Sequence, residues 1–343
     1  MTIAEPGPPR LSVVVAATDS PLAAARAVRA LAGQATGRVE VIVVSAPSAS
    51  ALIPLAPPAS PRPPGEGARS APPRYLLAPA GSGVPRLRRI GLEAATGRVV
   101  VFTEDSCVAG PGWVAAWLGA FADPDLAAAT GLVEHPDDAP VVEWAVVFCE
   151  YAPFLTPGPA GPPARLAGNN FAVARAVALG EPGDEVHEVS LLASIRRAGG
   201  TTRTVPGAVV RHVRRFGFRR AIGDRLRFGL EFGRLRAAGS STIARRAALI
   251  AGPAIFAAQA GRIAGTVLRG RRHLGRFARA LPIILAMLAA WSVGESLGWA
   301  LGGPGRGRLP GRKRRGTAGR TPAPRAGRAG SPPAGCTPGP PLA

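Results

Sequence analysis

The segment Val99-Val100-Val101-Phe102-Thr103-Glu104-Asp105-Ser106-Cys107 sets two adjacent carboxylates directly after an apolar, β-branched run. Such a run reads as a buried strand, and in open α/β sheets ligands bind outside the carboxyl ends of the strands. Carboxylates held there can ligate a hard divalent cation, and a cation so held can neutralise a diphosphate leaving group. An acidic pair after a strand also suits a helix N-cap, so the pair alone does not choose between the two readings.

The elements that must position this pair are legible around it. Leu11 to Thr18 and Val39 to Val44 form two further strand-like runs, and the Ala-rich stretch Leu22 to Leu31 between them has helical spacing. Strand, helix, strand implies a parallel α/β sheet, and the near-continuous apolar character of the runs fits strands covered on both faces. A second helical stretch, around Arg88 to Ala95, precedes Val99. Residues 46–73 hold nine Pro among Ser, Ala and Gly and read as a flexible insertion, while 303–343, rich in Arg, Pro and Gly without periodicity, read as a disordered tail.

Charge separates the chain further. Of 343 residues, 42 are basic and 21 acidic, and only one of the basic residues, Lys313, is Lys. A preference for Arg, Ala, Gly and Pro is what a GC-rich genome produces by codon bias. The distribution says more: net −2 over residues 1–210, +15 over 211–279 and +9 over 303–343. The first 210 residues are therefore no generic polyanion binder, and the partner of the charge is met by the C-terminal third. Eighteen aromatic residues and no nucleic-acid-binding motif argue against DNA or RNA as that partner. Cys107, Cys149 and Cys336 have no metal-ligand or CxxC spacing, which suits a reducing compartment, and the first residues show no secretory signal.

In the C-terminal third, a helix is expected from Phe218 to Arg236, with Arg220, Asp224, Arg227, Glu231 and Arg234 on one face. A solvated face is one reading of it, a lipid-facing one another. Two apolar stretches follow, Ala247 to Leu268 and Ala280 to Leu301; the second, 22 residues long and broken only by Glu295, is long enough to span a bilayer. A spanning hairpin would export the five arginines between Arg269 and Arg279, against the positive-inside tendency. Monotopic or re-entrant attachment of residues 216–302 to an anionic membrane surface avoids that conflict and is the favoured expectation, with true spanning and burial of the helices in a soluble core or dimer as the alternatives. Glu295 within the run is costly unless it is paired, with a nearby Arg the expected partner.

Several segments then follow one another at sensible spacing. They are Ser12-Val-Val-Val15, Glu40-Val-Ile-Val-Val44, Arg88-Arg89-Ile90-Gly91 with Ala94-Ala-Thr-Gly97, and Phe102-Thr-Glu-Asp-Ser106 with Pro111-Gly112-Trp113. Next come Gly168-Asn169-Asn170-Phe171 with Arg175, His187-Glu188 with Leu191 and Arg196-Arg-Ala-Gly199, and Val205-Pro206 through His212. In this order they resemble the family-two glycosyltransferases of the GT-A fold, over roughly residues 10–215. The resemblance implies a Rossmann-like, nucleotide-sugar-binding mixed sheet flanked by helices, with residues 1–215 as the catalytic domain. It also implies an inverting transfer from a nucleoside-diphosphate sugar.

For such a transfer one carboxylate must take the proton of the incoming hydroxyl, and a separate cationic site must stabilise the departing diphosphate. Carried over by motif, Glu188 is the base, and Glu104, Asp105 and His212 hold Mg²⁺ or Mn²⁺. Thr18, Asp19, Ser45, Arg88 and Glu104 meet the donor, and Asn169 and Asn170 the acceptor. Capping or packing roles stay open for both asparagines, for His212 and for His187. Ser45 stands where the family usually has the Asp that contacts the nucleotide base, Arg89 where it has Asn, and Ser106 where it has the last acid of Asp-x-Asp. The C-terminal segment is similar to the tails of membrane-associated bacterial members that build cell-surface polysaccharides. The multi-span channel and Gln-x-x-Arg-Trp signature of processive synthases are not apparent, so transfer of one sugar to a lipid-linked or saccharide acceptor at the cytoplasmic face of the cell membrane is expected. A catalytically inactive, membrane-bound scaffold is the competing expectation.

Overall fold

The computed structural model describes residues 10–18, 20–34, 39–47, 72–158, 161–237, 240–241, 247–248 and 251–302. Most of the Pro-rich insertion, the whole Arg-rich tail and Asp19 thus lie outside the described residues.

The strand-like runs form β1 (Leu11–Ala17), β2 (Val39–Ser45) and β4 (Val99–Glu104), joined by a short β3 (Arg74–Leu77). Later come β5 (Cys107–Ala109), β6 (Leu126–Glu134), β7 (Asn170–Ala174) and β8 (Thr201–His212). They make one eight-stranded sheet in the order β3-β2-β1-β4-β7-β6-β8-β5. β1, β2 and β4 are parallel, as their near-continuous burial predicts, and the more exposed edge strand β3 is parallel to β2, whereas β7 runs antiparallel between β4 and β6 and β5 antiparallel to β8. The sheet is therefore mixed. Ala16 pairs with Glu104 and Ala17 with Ser45, so the carboxyl ends of β1, β2 and β4 finish level with one another.

Helices α1 (Pro21–Ala32), α2 (Val84–Ala94), α3 (Trp113–Ala120), α4 (Val141–Tyr151), α5 (Arg175–Leu179) and α6 (Glu188–Arg197) accompany the sheet. Ser20 caps α1 by accepting from the Ala23 N–H at 3.1 Å, and Pro21 at the first helical position needs no donor there.

The C-terminal helices are α7 (Phe218–Ala237), α8 (Gly252–Gly270) and α9 (Leu274–Leu301). They are not a separate body. Ile284, Met287 and Leu288 of α9 and Ile263 and Val267 of α8 share a buried cluster with Trp144, Val147 and Phe148 of α4, and chain contacts divide only after Gly303. Glu295 is buried and meets Arg236 Nη1 at 3.0 Å and Trp291 Nε1 at 3.0 Å, which resolves the cost of a carboxylate in an apolar run.

Small residues hold α7 and α9 together. Gly229 and Gly233 on α7 face Gly294 and Gly298 on α9, and a Cβ at Gly294 would land on the Leu226 carbonyl oxygen, one at Gly298 on that of Leu230. The two backbones touch, as in small-xxx-small helix pairs. Gly294→Leu is expected to destabilise the protein by about 1–3 kcal/mol or more through overpacking, read as a lower urea midpoint, whereas Gly275→Leu, where nothing lies near, should leave it unchanged.

Candidate active site

Arg88, on α2, is the centre of the site. It is 4 % exposed. Nη1 donates to Glu188 Oε2 at 2.8 Å and to the Val186 carbonyl at 3.3 Å. Nη2 donates to the Gly168 carbonyl at 2.7 Å and lies 3.5 Å from Glu104 Oε1. The guanidinium also sits 5.5 Å from the centre of the Phe171 ring. One cation thus ties the carboxylate at the end of β4 to the carboxylate at the start of α6. Gly168 permits the approach, because a Cβ there would stand 3.1 Å from Arg88 Nη2 and 3.3 Å from Glu188 Oε1. Arg88, expected to meet the donor, has both terminal nitrogens of its fork on protein groups, while Nε has no partner among the described residues.

Glu188 opens α6, where a carboxylate is favoured by the unsatisfied N–H groups of the first turn. Its side chain is 29 % exposed, so a hydroxyl can reach it. His187 points elsewhere and pairs with Glu185 at 2.8 Å on the surface, neither tuning the base nor packing in the core.

Glu104 carries a raised pKa, chiefly because burial disfavours its charge, with Arg88 opposing that shift. Asp105, its neighbour, is 1 % exposed and accepts from the backbone N–H of Thr18 at 3.1 Å and of Ser20 at 3.4 Å. That carboxylate fastens the β1–α1 loop. Asp105, expected as a metal ligand, anchors through Oδ2 the loop whose Thr18 lies exposed at the sheet's carboxyl edge beside Ser45.

Both asparagines expected at the acceptor are buried. Asn170 is fully buried, donating to the carbonyls of Leu132 and Ala208, both at 2.8 Å, and accepting from Trp113 Nε1 at 2.9 Å. Asn169, equally buried, donates to Cys107 Sγ at 3.3 Å. Asn169 Oδ1 has no hydrogen-bond partner among the described residues. The asparagines join the Pro-Gly-Trp and Gly-Asn-Asn segments across the sheet.

A cavity of about 190 Å³ opens where the ends of β4 and β8 meet α4, α7 and α9, and Glu104, Tyr151 and His212 line it together. Glu188 is not part of that lining and connects to it through Arg88. His212 is 2 % exposed and stacks among Tyr151, Phe216 and His135, with its Nδ1 unpartnered among the described residues. Burial holds its pKa down to about 3, and the same cause lowers that of His135, whose Nδ1 lies 2.8 Å from the His212 carbonyl. Sequence reasoning missed Glu150, Tyr151 and His135. The first two end an apolar helix with no motif spacing, and only the fold carries them to this cavity.

His212 stays neutral when folded, and burial makes His135 harder to protonate than in the unfolded chain, where both titrate near 6.5, so stability is intact above that pH and is lost as pH falls below it. Each can steepen the loss by up to about 1.4 kcal/mol per pH unit. Urea unfolding with EDTA between pH 7 and 5 should show His135→Gln losing stability less steeply than wild type; equal slopes would refute the assignment.

Among the described residues no three His, Cys, Asp or Glu side chains group around a metal-sized site. Two of the three expected ligands, Glu104 and His212, do meet at one cavity, and Mg²⁺ is commonly held by one or two protein groups together with substrate phosphates.

A profile of the family described as glycosyltransferase like family 2 matches residues 8–228, and the chain belongs to that family. It is a glycosyltransferase with the mixed nucleotide-sugar-binding sheet of the GT-A fold. Among solved structures it is similar to a mannosyltransferase from Pyrobaculum calidifontis in complex with GDP-mannose and Mn²⁺, at 17 % identity over 84 % of this chain and 88 % of that one, TM-score 0.48. A glucosyl-3-phosphoglycerate synthase from Mycobacterium tuberculosis, in complex with Mn²⁺, UDP-glucose and phosphoglyceric acid, is 17 % identical over 61 % of this chain and 73 % of that one, TM-score 0.42. A mycobacterial protein is 19 % identical over 65 % and 73 % respectively, TM-score 0.45. No curated protein matches the chain.

Proposed function

We propose that the protein moves a hexosyl group, with inversion, from a nucleoside-diphosphate sugar to a hydroxyl of a lipid-linked or cell-surface saccharide at the cytoplasmic face of the cell membrane. The observation that carries the reading is the Arg88 bridge, which fixes a donor-side carboxylate and a solvent-reachable carboxylate in one constellation. Glu188 takes the proton of the acceptor hydroxyl as its oxygen bonds to the anomeric carbon. The bond from that carbon to the diphosphate breaks, and its electron pair leaves with the nucleotide. The loop pinned by Asp105 and the edge at Ser45 cradle the nucleotide. Glu104 and His212 would hold a Mg²⁺ or Mn²⁺ ion, which when bound supplies positive charge to the departing diphosphate.

Surface attachment is supported by the disposition of apolar side chains. Leu281, Leu285, Val293, Leu297 and Leu301 are exposed along one face of α9, while its other face completes the core with α4. The helix is long and apolar enough to cross a membrane, yet its two faces meet different surroundings, which favours lying at the interface. Flotation on phosphatidylglycerol liposomes should be lost in Val293→Glu/Leu297→Glu, both exposed sites; undiminished flotation would remove the anchor. The reaction is tested by a thermal-shift screen of UDP-, GDP- and dTDP-sugars with Mg²⁺ or Mn²⁺, in which the true donor raises the melting point and no response to any donor sinks the reading.

A further inference from the structure

Tyr151 is the last residue of α4 and stands in the cavity that Glu104 and His212 share, its ring centre 5.3 Å from that of the His212 imidazole. Val146, Phe216 and Met287 supply apolar wall in the same lining. The ring therefore belongs to the packing, and a phenylalanine would do that part equally well. What packing leaves unexplained is the hydroxyl, which makes no hydrogen bond among the described residues.

The protein groups that could accept from it are engaged elsewhere. The carboxylates of the lining are Glu104, Glu150 and Asp224. Glu150 receives Arg225 at 2.8 Å and Asp224 receives Arg227 at 3.1 Å. Glu104 has Arg88 at 3.5 Å on one oxygen and the Ser106 hydroxyl at 3.4 Å on the other. His212 Nδ1 takes no hydrogen bond at all. A phenol, with an ordinary pKa near 10, is an O–H donor at neutral pH. An idle donor beside the two groups that would hold a divalent cation suits an oxygen that comes from outside the protein and carries negative charge. A phosphate oxygen needs donors only, whereas a sugar hydroxyl also brings a proton that wants an acceptor.

We propose that the Tyr151 hydroxyl donates a hydrogen bond to an oxygen of the departing diphosphate. The assignment rests on the transferase reading above and adds a residue to its donor side. As the bond from the anomeric carbon to the diphosphate oxygen breaks, the electron pair stays with that oxygen and negative charge grows on the diphosphate. The phenol meets this charge and keeps its proton, so its hydrogen bond strengthens as the reaction proceeds. Its effect falls on the transition state and on the released diphosphate more than on the intact donor.

Calorimetric titration of the full-length protein with pyrophosphate and Mg²⁺ reads the contact directly. Tyr151→Phe keeps the ring against His212, so its thermal midpoint should match wild type while its pyrophosphate affinity falls by about tenfold or more, as for a hydrogen bond to a charged group. Affinity for Mn²⁺ alone should not change. Absence of pyrophosphate binding by wild type, or equal affinity in the two proteins, overturns the assignment. So does a loss of Mn²⁺ affinity as large as the loss for pyrophosphate, which would put the effect on the metal ligands. A second readout uses the wild-type side chain, since the chain has two tyrosines, Tyr75 and Tyr151. In protein labelled with 3-fluorotyrosine, pyrophosphate with Mg²⁺ should move the Tyr151 fluorine resonance and leave that of Tyr75 in place, with Tyr75→Phe assigning the two. An unmoved Tyr151 resonance overturns the contact. Donor-induced thermal shifts report separately on the transferase reading. No response of wild type to any donor fells that reading and leaves the diphosphate contact standing, whereas a donor response with pyrophosphate bound equally by Tyr151→Phe fells this assignment alone.

Discussion

Glu188→Gln is expected to lower the rate of sugar transfer by about 10²–10⁴-fold while donor affinity stays near that of wild type, because a general base contributes that much and the amide keeps the shape. The structure sharpens the expectation. Glu188 is held by Arg88 Nη1 through Oε2 alone at 2.8 Å, and Gly168 leaves the region of Oε1 unobstructed by a side chain. Gln retains an oxygen to accept from Arg88 but loses the anionic lone pair that removes the proton. The loss should therefore fall on kcat, measured with whichever donor the thermal-shift screen selects. Equal turnover in wild type and variant would remove Glu188 from the chemistry, and loss of donor-induced stabilisation would mean that it binds rather than reacts.

Arg88→Ala is expected to be the most damaging substitution in the protein. It leaves the Gly168 carbonyl and two carboxylates without their shared cation, and breaking a buried ion pair by removing one partner costs about 3–5 kcal/mol. Activity should fall by a larger factor than stability implies, because Glu104 and Glu188 lose their common reference point. Arg88→Lys separates positioning from folding. An ammonium can meet one carboxylate but cannot present two parallel donors to Gly168 and Glu188, so the variant should regain most of the thermal midpoint and little of the kcat. A purely structural arginine predicts that the two recover together. If KM for the donor rises while kcat holds, the bridge acts on binding instead.

The strands were readable because each is a continuous β-branched run, and the place of Glu104 followed from the end of one of them. The antiparallel β7 and β5 were not, since a run of apolar residues does not state its direction. Motif matching brought Arg88, Glu104, Asp105, Glu188, Asn169 and Asn170 to attention but did not show which protein groups each of them meets. Whether a polar side chain faces a ligand or the protein depends on what lies behind it, and Asn170 faces two carbonyls contributed by β6 and β8, strands remote from it in sequence. Asp105 likewise answers to N–H groups 85 or more residues earlier in the chain. The glycines of α7 and α9 passed unread because their two spacings of four carry meaning only when the helices are laid side by side. The pairing of Glu295 was anticipated from cost alone; that Arg236 is the partner required the same juxtaposition.

Backbone-to-backbone contact between α7 and α9 has a mechanical consequence. Helices separated by long side chains can roll and slide by repacking rotamers, whereas helices resting on carbonyl and Cα atoms have nothing compliant between them. The pair therefore behaves as a single strut. Five residues separate its first helix from the end of β8, so its tilt is set by the sheet. A surface that takes hold of the outer face of α9 thereby fixes the heading of the whole catalytic cleft, much as a keel fixes the heading of a hull.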